Sequence, residues 1–104
     1  ELELKEKQFD AIGLKGKSWK DFKPSGIAFH PKTGEVYLLS GTGHRLLILS
    51  RSGVPLKNIE LNSSIFLQPE GISFTPDGTL YIASEGNGGS GYILKFAPMN
   101  GTGM

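Results

Sequence analysis

QPEGISFTPDGTLYIASEGNGGSGYILKF, residues 68 to 96, reads as three β-strands joined by two reversals. From Gly71 to Thr75 an apolar residue (Ile72, Phe74) alternates with a small or polar one (Ser73, Thr75), the period of a strand with two unlike faces. Pro76-Asp77-Gly78 ends it: proline presets the turn dihedral, and Asp-Gly supplies a residue that accepts positive φ, so the chain reverses into a second strand, Thr79 to Ala83. The glycine-rich run from Gly86 to Gly91 makes the next reversal, and Tyr92 to Phe96 is the third strand.

The chain contains this pattern twice. Ser25-Gly26-Ile27-Ala28-Phe29-His30-Pro31 lies over Glu70-Gly71-Ile72-Ser73-Phe74-Thr75-Pro76, and Val36-Tyr37-Leu38-Leu39-Ser40 lies over Leu80-Tyr81-Ile82-Ala83-Ser84. One residue separates the two hairpin turns, Lys32-Thr33-Gly34 against Asp77-Gly78, where a length change is tolerated best. A period in the mid-forties built of short strands predicts an all-β chain of four-stranded antiparallel propeller blades rather than a helical repeat. The first copy spells a whole blade, with strands at Gly26 to His30, Glu35 to Leu39, Arg45 to Ser50 and Leu56 to Leu61. The middle two are apolar without alternation, as strands packed on both faces are. The fourth, with Lys57, Asn58 and Glu60 among its apolar residues, is the expected outer edge, where charge discourages further pairing.

This divides the chain into an edge strand and connector over residues 1–22, a complete blade over 23–62, and a second, three-stranded blade with an irregular tail over 63–104. Within the first part Leu2 and Leu4 alternate with glutamates, and Trp19 and Phe22 are expected to pack against a blade. A closed propeller needs about four to eight blades. The count here is too small, and the flanks of two isolated blades expose apolar faces that soluble monomers avoid. The expected partners are therefore the remaining blades of a longer chain, or other copies that complete a ring. The first residue is Glu1 rather than methionine, which fits an excised piece, and nothing near it resembles a signal peptide.

Composition sets wide bounds. Eleven basic and ten acidic residues give a net charge of +1, and they are dispersed, so neither a nucleic-acid footprint nor a membrane-surface patch is indicated. No run approaches the length of a transmembrane helix, and the absence of cysteine excludes disulfides and thiolate chemistry.

Candidate site residues follow from the hairpin geometry. The start of a blade's first strand and the end of its second lie at one edge, so Pro24-Ser25-Gly26 and Ser40 to His44 share a rim, as do Pro69-Glu70-Gly71 and Ser84 to Asn87. The first strand of a blade lines the channel, which turns Ser25 and Glu70 toward the axis. The expected ligand-binding residues are Ser25, Ser40, His44, Glu70, Glu85 and Asn87, with Glu70 and Glu85 as the metal ligands. Two carboxylates with Asn87 and loop carbonyls suit a hard cation such as Ca²⁺, which takes about six to eight oxygens. The competing reading has Glu70 accepting backbone N–H groups at a blade junction and Glu85 solvated. No nucleophile, second base or histidine cluster accompanies them, so catalysis by this segment alone is not expected. The run from Gly86 to Gly91 is not a phosphate loop, since no helix and no lysine follow it as that motif requires.

FKPSGIAFHPKTGEVYLLS (22–40), QPEGISFTPDGTLYIASEG (68–86) and the closing YILKF together resemble the SdiA-regulated family of six-bladed propellers. More distantly they are similar to NHL-repeat and lactonase-like propellers. The resemblance covers Phe22 to Phe96; the first twenty residues show no matching phrase. It implies the C-terminal third of a six-bladed bacterial protein of the periplasm or cell envelope, without established activity, with Ca²⁺ in or near the channel. Glu70 falls on the family's Glu-Gly phrase and Glu85 on its Ser-Glu phrase, whereas the earlier blade has Ser25 and Gly41 at these places. The leading expectation is a non-enzymatic segment that binds a cation or small polar ligand. A part of a metal-dependent, lactonase-like hydrolase and a protein-interaction scaffold are the alternatives.

Overall fold

A computed structural model describes residues 23–86 and 90–98, and the expectations for Leu2, Leu4, Trp19, Phe22 and Asn87 lie outside them. The described residues form two antiparallel sheets and no helix. The first has four strands in the order β1 (Gly26–Phe29), β2 (Val36–Ser40), β3 (Arg45–Leu49), β4 (Pro55–Glu60); the second has three, β5 (Gln68–Phe74), β6 (Leu80–Glu85), β7 (Tyr92–Phe96). This is the predicted meander of blades, with the polar β4 at the outer edge and no fourth strand among the described residues of the second sheet. Strand ends differ from expectation by a residue or two except at β5, which begins at Gln68 rather than Gly71. Pro69 can join the ladder because β5 is an edge strand, and a register shift between Pro69 and Gly71 leaves Glu70 as the extra residue of a bulge.

The two sheets bury one face each against the other. Tyr37, Leu39, Leu46 and Ile48 from the first meet Leu80 and Ile82 of the second, with Ile72, Phe74, Leu94 and Phe96 at the margin and Phe66 closing the end. The registers explain the selection: Tyr37 lies opposite Ile48 and Leu39 opposite Leu46, while Ile82 lies opposite both Ile72 and Leu94. Period two thus puts every one of these side chains on the inter-sheet face. The uninterrupted apolar runs of β2 and β3 also have their explanation, since Val36, Leu38, Leu47 and Leu49, on the other face, are buried as well.

At the end of the blades opposite the candidate rim, two hairpin turns are closed by different side chains. In the second, the Asp77 carboxylate accepts the Thr79 N–H at 3.0 Å and the Thr75 hydroxyl, and Gly78 supplies the positive φ of 94°. In the first, one residue longer, the buried His30 imidazole does the same work: Nδ1 accepts the N–H groups of Lys32 at 3.1 Å and Thr33 at 3.2 Å. Its ring lies 5.0 Å from that of Phe74, and Phe74 meets Tyr37 edge-on at 4.8 Å. A turn cap is thereby tied to the contact between sheets.

The hydrogen bonds onto Asp77 lower its carboxyl pKa from 3.8 to about 2, the Thr75 hydroxyl contributing most. A carboxylate held below its unfolded value stabilises the fold above that value, and the contribution disappears as the pH falls from about 3.8 through about 2. Asp77→Asn is expected to flatten this acid limb, read as urea midpoints measured between pH 5 and pH 2 for both proteins.

Candidate functional site

At the rim, the structure brings together residues from both sheets. Ser25, just before β1, shares its hydroxyl proton between the carbonyls of Leu39 (3.3 Å) and Pro69 (3.4 Å), and its oxygen accepts the Gly41 N–H at 3.0 Å. One hydroxyl therefore closes the β1–β2 end and reaches across to β5. His44 makes a second crossing: Nε2 lies 3.1 Å from the Leu67 carbonyl, which can only accept, so this nitrogen carries the proton. His44 holds a φ of 50°, and its own carbonyl accepts the Leu61 N–H at 2.7 Å. Ser40 is fully buried, with its hydroxyl accepting the Gly43 N–H at 3.1 Å. Of the residues singled out in the first blade, Ser25 is thus engaged with the second sheet, His44 with the connector that leads to it, and Ser40 in shaping the loop between β2 and β3.

The joint depends on residues that sequence reasoning did not single out. Gly41 approaches the second sheet so closely that a Cβ placed on it would overlap the Pro69 carbonyl oxygen. Tyr92 ties the connector between the sheets, its hydroxyl donating to the Ile65 carbonyl and accepting the Leu67 N–H at 3.3 Å. Ser84, the repeat mate of Ser40, is buried and accepts the Gln68 N–H at 3.1 Å. Only Gly41 carried a signal in the chain, as the glycine that stands where the second blade has Glu85.

In the second blade the corresponding positions hold the two carboxylates. The β5 bulge frees Glu70 from the alternation of its strand, and Glu85 ends β6 opposite Gln68. Both are exposed. The Glu85 carboxylate, and then a hydrogen bond between the two side chains, hold the Glu70 carboxyl above its ordinary value, with desolvation adding a little. Both carboxylates line one hollow at the rim. Glu70 lies between two hollows. One, of about 430 Å³, runs along the sheet junction past Lys23, Ser25, Thr42, His44 and Gln68. The other, of about 370 Å³, lies on the outward face of the second sheet beside Ala83, Glu85, Tyr92 and Ile93. Among the described residues, no third His, Cys, Asp or Glu joins the pair as a possible metal ligand. The described residues include no helix long and apolar enough to cross a membrane.

Comparisons with known proteins agree with this architecture. A profile of the SdiA-regulated family matches residues 3–88. The matched span takes in most of the first twenty residues, where no matching phrase was legible, and stops short of β7. Among solved structures, Kuenenia stuttgartiensis hydrazine synthase superposes with a TM-score of 0.50 at 23% identity, over 61% of this chain and 17% of that one. At that identity the likeness is one of fold. No curated protein matches the chain.

Proposed function

The chain belongs to the SdiA-regulated family, and on that premise we propose that it is a propeller segment whose rim binds a cation through Glu70 and Glu85. The observation that carries this reading is the placement of two exposed carboxylates at one rim, Glu70 on the β5 bulge and Glu85 opposite Gln68, both lining one hollow. Two like charges brought together repel, and a cation seated between them relieves the repulsion.

The donor set suits Ca²⁺ in part. Two carboxylates supply at most four oxygens, and a hard cation completes its six to eight with backbone carbonyls and water. A site so sparsely furnished is expected to bind at about 10⁻⁴ to 10⁻³ M. Binding, rather than chemistry, is the reading because, among the described residues, no nucleophile–base pair accompanies the two carboxyls.

Calorimetric titration with Ca²⁺ tests this. Wild type is expected to take up one ion, and Glu70→Gln and Glu85→Gln are each expected to weaken binding about tenfold or more, since each removes half of the anionic ligands. The pH dependence has a definite sign. A carboxyl raised above its ordinary value is protonated when the pH falls into the usual carboxylate range and just above it, so affinity declines on acidification through that window. Absence of heat in wild type at neutral pH and millimolar Ca²⁺ would remove the metal from the proposal.

A further inference from the structure

Where β4 gives way to the connector that leads to β5, the chain reads Glu60-Leu61-Asn62-Ser63-Ser64. Asn62-Ser63-Ser64 is the asparagine–x–serine triplet of an N-glycosylation acceptor, with a residue other than proline in the middle. Such a triplet arises often by chance, so its meaning depends on how the fold presents it. Glu60, Asn62, Ser63 and Ser64 are all exposed. The main chain closes the turn, the Asn62 carbonyl accepting the N–H groups of Ile65 at 3.0 Å and Phe66 at 2.8 Å. Beyond it the connector is anchored, since Phe66 is buried in the core cluster and its ring stacks on that of Phe96 at 6.2 Å. The triplet is therefore held as a defined turn at the surface, the kind of place where an acceptor asparagine has to stand.

The side chains of the triplet already engage one another. Asn62 Oδ1 accepts the Ser64 N–H at 2.9 Å and the Ser64 hydroxyl at 2.6 Å. A backbone N–H can only donate, so the oxygen is the atom that faces Ser64, and Nδ2 is the atom turned away. Among the described residues Nδ2 has no hydrogen-bond partner. A sugar attached there replaces one of its two hydrogens and leaves Oδ1, both of its bonds and the main-chain turn as they are. Room for the sugar exists, since Glu60, Asn62 and Ser63 border an open hollow of about 620 Å³ together with Gly43, His44 and Leu61. Glu60 thus sets a carboxylate beside the acceptor, two residues before it, where a cationic group of a modifying enzyme can pair with it.

We infer that Asn62 is an N-glycosylation acceptor, modified on the folded chain by an oligosaccharyltransferase that reads Glu60 as well as the triplet and takes its glycan from a lipid pyrophosphate-linked oligosaccharide. In the transfer Nδ2 attacks the anomeric carbon of that donor. A C–N bond forms, the C–O bond to the pyrophosphate breaks, and the lipid pyrophosphate leaves with the bonding electrons, while one Nδ2 proton passes to a base of the transferase. The step is a substitution and needs no oxidant or reductant. This chain supplies the nitrogen and, through Ser64, the rotamer that presents it. The chain also carries its own control: Asn100-Gly101-Thr102 is a second triplet, but Pro98 stands two residues before it in place of an acid. The cation reading is independent, since Glu70 and Glu85 take no part here.

The test incubates the folded chain of residues 1–104 with a purified bacterial oligosaccharyltransferase and a lipid-linked oligosaccharide. Transfer is read as intact mass, and the site is located by peptide mapping. Wild type is expected to gain one glycan, at Asn62 and not at Asn100. Asn62→Asp keeps the oxygen that holds the turn and loses the nitrogen, so it is expected to melt with wild type and to gain nothing. Ser64→Ala is expected to lose transfer and Ser64→Thr to keep it, while Glu60→Gln slows it about tenfold or more, the loss that goes with a missing charged hydrogen-bond partner. A synthetic peptide of residues 58–66 serves as the unfolded acceptor. Transfer to the peptide but not to the folded chain would overturn the inference, because the fold would then withhold the triplet. Transfer to neither, or to Asn100 alone, would overturn it too, as would a Ser64→Ala protein modified as fast as wild type.

Discussion

Ile48→Ala is expected to lower the urea midpoint far enough that much of the protein is unfolded at moderate temperature. Ile48 has no exposed surface, sits in an interior strand between β2 and β4, and belongs to the cluster that joins the two sheets. Truncating a buried isoleucine costs about 2–5 kcal/mol, the transfer term plus the cavity left behind. Here the cavity opens between two sheets whose strands are pinned by ladders on both sides, so little collapse can fill it, and the upper half of that range is expected. Against a total stability of about 5–15 kcal/mol for a domain, and with each kcal/mol worth about 4–8 °C in a chain near this size, a fall of about 12 °C or more should appear in a thermal scan. Leu56→Ala provides the control. Leu56 is on the edge strand β4 and is 42% exposed, and its truncation is expected to stay within about 1 kcal/mol of wild type.

Gly41→Ala is the second large effect, and its cause is of another kind. The added methyl would overlap the Pro69 carbonyl oxygen, a backbone atom held by the β5–β6 ladder and already accepting from Ser25. Neither partner is a flexible side chain that can swing away, so the sheets must separate at the rim. Overpacking of this sort costs about 1–3 kcal/mol. The loss is expected near the top of that range, because the Ser25 bond to Pro69 and the His44 bond to Leu67 stretch with it. Glu85→Ala, at the same position of the repeat, is expected to leave the urea midpoint in place, since its side chain is exposed. Equal losses at the two positions would show that Gly41 answers to a local turn requirement and not to the neighbouring sheet.

The contrast between Gly41 and Glu85 also explains how much of the site was open to reading in the chain. That the two copies differ at Ser25 against Glu70 and at Gly41 against Glu85 is visible by alignment, and so is the shared rim of the two glutamates. The meaning of the difference is not. A glycine in Ser-Gly-Thr-Gly-His looks like ordinary loop glycine, and its need arises only from a carbonyl 28 residues away in sequence. Ser40 and His44 fitted a ligand rim by position; the first is buried under its own loop, and the second spends its Nε2–H on the connector between the sheets. His30 and Asp77 show the same division at the other end. Asp77 in Pro-Asp-Gly declares a turn cap locally, while His30 takes that role through a ring whose position depends on Phe74 of the other sheet.

The sequence by itself determined the strands, their order, the tight turns and the two-bladed repeat, because alternation of apolar residues and the dihedral preferences of proline, glycine and aspartate act over a few residues. Only the tertiary structure decided which rim groups are consumed in holding the sheets together and which are left exposed. It also placed Glu70 on a bulge beside the end of β6 rather than in a loop. Those outcomes depend on distances between segments far apart in the chain, set by how closely one sheet can approach the other, and no local pattern of residues encodes that distance.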